Sequence, residues 1–159
     1  MRIGGHALRE HLRLLAPLFG LITAVWALRL VLHSGGAPMA LVRIFSVGVA
    51  GSVSVLVAAF LIHFKRFGSY ASVGASAFLL VFYARLLIVL AIAFAAVTRT
   101  GNVFVASEFS FGMTHAQNIA SHLTVILVFQ SLMAAGMACL LLLMLRWLVP
   151  LTPKQGSRA

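Results

Sequence analysis

Negative charge is nearly missing from this sequence. Among 159 residues there is no aspartate, and Glu10 and Glu108 are the only carboxylate side chains, against twelve lysines and arginines and a formal net charge of +10. No acidic residue falls within a long apolar run, which removes the usual signature of a proton-driven transporter. Cysteine is equally scarce: Cys139, alone in MACLLLLML, excludes a disulfide within the chain, a CxxC metal or redox site and a c-type haem attachment. It reads as a small packing residue. An HExxH motif and a glycine-rich phosphate loop are also missing, so neither a zinc protease nor a nucleotide enzyme is indicated. Glu108 and His115 share one segment, yet no third group orients either and no nucleophile pairs with them, so catalytic activity is not expected.

What the sequence has in abundance is apolar surface. Hydrophobic residues make up 62%, charged residues 9%, and the mean hydropathy is +1.10. Such a chain cannot cover itself with polar groups, and lipid is the solvent it fits. Four stretches are long enough to cross a bilayer: about 14–32, 44–62, 71–98 and 123–145. The expected fold is therefore all-α, a polytopic membrane protein with a four-transmembrane-helix bundle as its single domain. HSGGAP at 33–38 ends the first span, and HFKRFGS at 63–69 makes the second turn. The third run is twenty-eight residues long and must tilt or extend beyond the hydrocarbon. Pro150 and Pro153 stop regular helix after the fourth. The opening MRIGGHALREHLRLL admits two readings, an interfacial helix with its arginines at headgroups or a helical extension of the first span. A cleaved signal peptide is disfavoured by the length of the first run and by Arg29 within it.

The basic residues lie singly or in pairs at the ends of apolar runs rather than on one clustered face, so they argue for topology and against nucleic-acid binding. Arg2, Arg9, Arg13, Lys65, Arg66, Arg146, Lys154 and Arg158 fall on one side, and Arg43 and Arg99 on the other, with Arg29 near the latter. That asymmetry predicts both termini in the cytoplasm, in a membrane of the bacterial inner-membrane type.

Within the spans, small residues recur. Ser46, Ala50, Ser54 and Ala58 follow every fourth position of the second span, with Gly48 and Ser52 widening the stripe, and this helix is expected to be the most deeply packed. Ser131, Ala135 and Cys139 draw a similar line on the fourth, and Ala71 with Ala75, or Ser72 with Ser76, on the third. Such faces hold a bundle together and also serve contacts with other membrane subunits or a second copy.

Arg85, in FYARLLIVL, stands about fourteen residues from either end of its span. A central arginine costs roughly 2.5–3.5 kcal/mol on insertion scales and faces a partner or a wet cavity. Its options are carbonyls and hydroxyls of its own bundle, lipid phosphate, a carboxylate from another protein or a haem propionate, or an anion path. Arg29, one turn from its span end, is expected to snorkel. His33 and His122 end facing spans and can in principle clamp a b-type haem, with His11 and His63 a second couple at the other side. Without that alternative no cofactor is indicated. Phe104, Phe109 and Phe111 lie in the loop at about 101–120, which is expected to rest in the interface or dock on a partner. The functional expectation is a non-catalytic membrane subunit or scaffold, surrounded by membrane lipids, that joins a larger assembly through Arg85, the stripe of Ser46, Ala50, Ser54 and Ala58, and Phe109 and Phe111. The alternatives are a haem b electron-transfer subunit and a small anion channel or carrier.

Overall fold

An apolar run in lipid must satisfy its own backbone, and a helix does so within one segment. The computed structural model describes residues 2–150 and bears this out: four helical segments, 8–34, 39–64, 70–98 and 115–148, are long and apolar enough to cross a membrane. Pro153, expected to stop the helix, and the basic flanks Lys154 and Arg158 lie outside the described residues.

The chain opens with a two-residue hairpin, β1 (Arg2–Ile3) paired to β2 (His6–Ala7), turning through Gly4 and Gly5 at φ +59° and +92°. Those angles suit glycine in a tight hairpin turn. Helix α1 (Leu8–Ser34) follows at once, its start tied by the Ala7 N–H donating to Glu10 Oε2 at 2.6 Å. From Leu8 onward the opening segment is therefore a helical extension of the first span.

The second span differs from its expected form. It is two helices, α2 (Met39–Ile44) and α3 (Val47–Phe64), separated at Phe45 and Ser46. Ser46 does not belong to the packing stripe; its Oγ accepts from the Val49 N–H at 3.4 Å and caps α3. The rest of the stripe is buried as expected, with Ala50, Ser54 and Ala58 all inside.

Helix α4 (Tyr70–Thr98) is packed as deeply as the second span: half of its spanning window is buried, and α3 buries nine of its eighteen residues. The cause is a small-residue face running its whole length, from Ser72 and Ser76 through Ala77, Ala84 and Ala91 to Ala95. Gly51 of α3 faces Ala84 of α4, where an added Cβ would make ordinary contact with Ala84 Cβ at 3.7 Å. On the α1 side, Thr23 and Tyr83 share a 2.7 Å hydrogen bond and Phe19 meets Tyr83 edge to face at 4.8 Å.

After α4 the chain makes the short helix α5 (Ser107–Ser110) and then α6 (His115–Leu123), a capped helix within what reads as loop. Thr114 and Gln117 form its reciprocal cap, with the Thr114 N–H donating to Gln117 Oε1 at 3.0 Å and the Gln117 N–H to Thr114 Oγ1 at 3.3 Å. At Thr124, φ −115° and ψ −95°, the axis breaks and α7 (Val125–Leu148) begins. Its buried line is Ala134, Ala138, Leu142 and Leu145, one position off the expected Ser131, Ala135 and Cys139. Four of the twenty-four residues of α7 are buried, as are five of the twenty-seven of α1, so both helices leave most of their surface uncovered.

Candidate functional site: the arginine between α4 and α7

The loop end of the bundle is built first from two asparagines. Asn102 Nδ2 donates to the Ala91 carbonyl at 2.7 Å while its Oδ1 accepts from the Phe104 N–H at 2.9 Å, folding the chain back over α4. Asn118 Nδ2, buried in α6, donates to the Phe104 carbonyl at 3.2 Å. The loop is thereby held on the bundle's own end. Val103 and Phe104 are buried, whereas Phe111 remains 83% exposed.

Arg29 lies beneath this cover. Instead of snorkelling it is 7% exposed, with its guanidinium carbon 4.4 Å from the Phe109 ring centre and 5.2 Å from that of Phe104. Two aromatic faces supply the negative potential that a lipid phosphate would otherwise give. Arg43 approaches the same Phe109 ring at 5.8 Å. Exposed Glu108 sits beside this group. Its own backbone N–H and the Ser107 hydroxyl donate to its carboxylate, with Arg43 and His33 adding positive charge, and together they hold its pKa below the ordinary carboxylate value.

Arg85 follows Ala84, which faces Gly51 of α3, and its side chain reaches Gln130 of α7 and His122 of α6. Its Nε donates to Gln130 Oε1 at 2.7 Å, its Nη2 donates to the same oxygen, and Nη1 lies 3.1 Å from His122 Nδ1. A guanidinium has no acceptor, so His122 accepts at Nδ1 and its proton resides on Nε2. Both partners are neutral acceptors. Neither carboxylate of the chain is near: Glu10 is engaged by the Ala7 N–H and His6, and Glu108 by Ser107.

Arg85 also forms part of the wall of an open groove of about 410 Å³ between α3 and α7. Ser52, Val55 and Leu56 line one side, and α7 contributes positions from Val125 to Met137, roughly 18 Å of helix. Phe129, Met133 and Met137 make its α7 side apolar and are themselves more than half exposed. Gln130 is the residue that sequence reasoning missed. Its signal was available: it is the one amide in the last apolar run.

Among the described residues, neither expected couple, His33 with His122 or His11 with His63, is joined by a contact; His11 instead meets the His6 ring at 6.3 Å. His33 lies in the last turn of α1 within electrostatic reach of Glu108, and His122 is held against Arg85; among the described residues no hydrogen bond or ring contact joins the two. An axial haem ligand presents an unprotonated ring nitrogen, and the one His122 has is taken by Arg85. His11 is buried edge-on to Phe67 at 5.0 Å, and His63 Nε2 lies 3.1 Å from the Val149 carbonyl. No group of three or more metal-ligating side chains occurs among the described residues. No family model, curated protein or solved structure matches the chain.

Proposed function

We propose that this protein is a non-catalytic subunit of a larger membrane assembly, and that the groove beside Arg85 receives a partner's transmembrane helix bearing an Asp or Glu. The observation that carries this reading is a cation within a spanning helix whose partners among the described residues, Gln130 and His122, are neutral, on the wall of an apolar groove. A carboxylate entering the groove would exchange part of that neutral coordination for a charge-assisted pair, which is stronger and directional. A second copy of the chain offers no such group, because Glu10 and Glu108 are committed near the helix ends.

The membrane we propose is of the bacterial cytoplasmic type, with both termini inside. Support comes from the end carrying the hairpin, Lys65, Arg66 and Arg146, set against Arg43 and Arg99 at the loop end.

The test is recovery of partners with the tagged full chain from its native membrane in mild detergent, comparing wild type, Arg85→Leu and Arg85→Lys. A stoichiometric membrane protein with an intramembrane Asp or Glu, lost with Leu and partly kept with Lys, is the expected result. Identical recovery with all three chains would refute the proposal.

A further inference from the structure

Three polar side chains line the groove between α3 and α7: Ser52, Arg85 and Gln130. The Ser52 hydroxyl donates to the Gly48 carbonyl of its own helix at 3.1 Å. Of the five N–H groups of Arg85, the one on Nε and one on Nη2 go to Gln130 Oε1, and one on Nη1 goes to His122 Nδ1. Two guanidinium N–H groups are left over. Because a guanidinium only donates, the Gln130 amide turns its oxygen to Arg85 and its nitrogen away.

Gln130 is half-buried, and among the described residues its Nε2 donates to nothing. Unlike the neighbouring Ser131 Oγ, that nitrogen is not sealed off by the protein. Gln130 stands five residues into α7, about 8 Å along the helix, with Phe129 and Met133 beside it on the groove wall. The acceptors of the cluster, Gln130 Oε1 and His122 Nδ1, are both engaged by Arg85, so what the Arg85–Gln130 pair still presents is donors alone. An ionised carboxylate brings only acceptors to such a pair. An amide or a protonated acid brings a hydrogen that finds no acceptor there, which is costly in hydrocarbon because no water takes its place.

Granted the groove as a partner's seat, we infer that Gln130 determines its specificity: the amide Nε2 donates to the same carboxylate that pairs with Arg85, selecting an ionised Asp or Glu over its amide isostere. Arg85 supplies the charge, and the amide N–H fixes the direction from which it is answered. Discrimination then rests on a mismatch presented to the wrong side chain as much as on attraction to the right one.

The test places the full chain in phosphatidylcholine vesicles at neutral pH with a synthetic host helix of about 20 Leu and Ala residues carrying one central Asp, Asn or Leu. Association is read by energy transfer between labels on the two. Wild type should prefer Asp to Asn on the order of tenfold, and Asn to Leu. Gln130→Met, which removes the amide at similar volume, should lower association of the Asp helix by about tenfold. Gln130→Glu keeps one oxygen on Arg85 and replaces the donor by a second oxygen, so the order should reverse, with Asn above Asp. A misfolded chain would lose both helices rather than exchange them. Wild-type affinity of the Gln130→Glu chain for the Asp helix, or a wild type that does not distinguish Asp from Asn, would overturn the assignment to Gln130. If Arg85→Leu abolished the Asp preference while both Gln130 variants behaved as wild type, the role of Gln130 would fall and the groove would stand. An Asp helix that associates with wild type no better than the Leu helix would refute the groove itself.

Discussion

Arg29 and Arg85 are the same residue in similar apolar helices, and the structure treats them in opposite ways. Arg29 is sealed under Phe104 and Phe109, rings delivered by a loop that two asparagines pin in place. Arg85 is held by an amide and an imidazole and left at the wall of an open groove. In the first the protein covers its own cation with two rings, while Arg29 Nε stays without a hydrogen-bond partner among the described residues. The second orients a cation without neutralising it, and the contrast separates an arginine that serves the fold from one available to something else.

Breaking the cover over Arg29 should have the largest effect. Phe104→Ala removes a buried ring, is expected to destabilise the protein by about 3 kcal/mol, and can be followed by unfolding in mixed detergent micelles. Arg85→Leu should instead leave stability less affected while lowering partner recovery on the order of tenfold, as loss of an interhelical polar contact worth about 1–2 kcal/mol implies. If Arg85→Leu destabilised the isolated chain more than Phe104→Ala, the contrast between the two arginines would collapse. A double-mutant cycle of Arg29→Met with Phe109→Ala isolates the cation–ring contact and should give a coupling near 1 kcal/mol; a coupling near zero would mean that Phe109 only fills space.

The smallest effect should come from pH. The Glu108 carboxylate is held below its ordinary pKa of 4.5, so its contribution to the loop is complete above that value and fades as pH falls through the lowered pKa. Glu108→Gln should therefore melt slightly earlier than wild type near neutrality and converge with it in strong acid. A difference that grew on acidification would reverse the assigned sign.

The four spans were legible because length and hydropathy alone decide them in lipid. Their interruptions were not. Ser46 keeps the four-residue spacing of the stripe, and only three-dimensional context shows its hydroxyl capping α3. Helix α6 escaped because HAQNIASHL is short and polar, although Thr114 and Gln117 carried its capping signature. The packing of α4 was underestimated because its small residues are interleaved with Leu, Val and Ile that also point inward, which blurs a stripe to the eye.

Arg85 was legible as an anomaly, whereas its partners were not. The sequence points to carbonyls, hydroxyls, lipid phosphate or a foreign carboxylate, and the acceptors are Gln130 and His122. His122 was read at a span end, yet the break at Thr124 places it beside the guanidinium. Arg29 misled for a related reason, since nothing local indicates that a loop more than seventy positions later folds over it.

The most direct measurement of the central claim is a photo-crosslinker at Met133, on the groove wall, activated in the native membrane and read by mass spectrometry. The account predicts a crosslink to another protein's transmembrane segment that carries an Asp or Glu, abolished by Arg85→Leu. Crosslinks confined to lipid or to a second copy of this chain would contradict it.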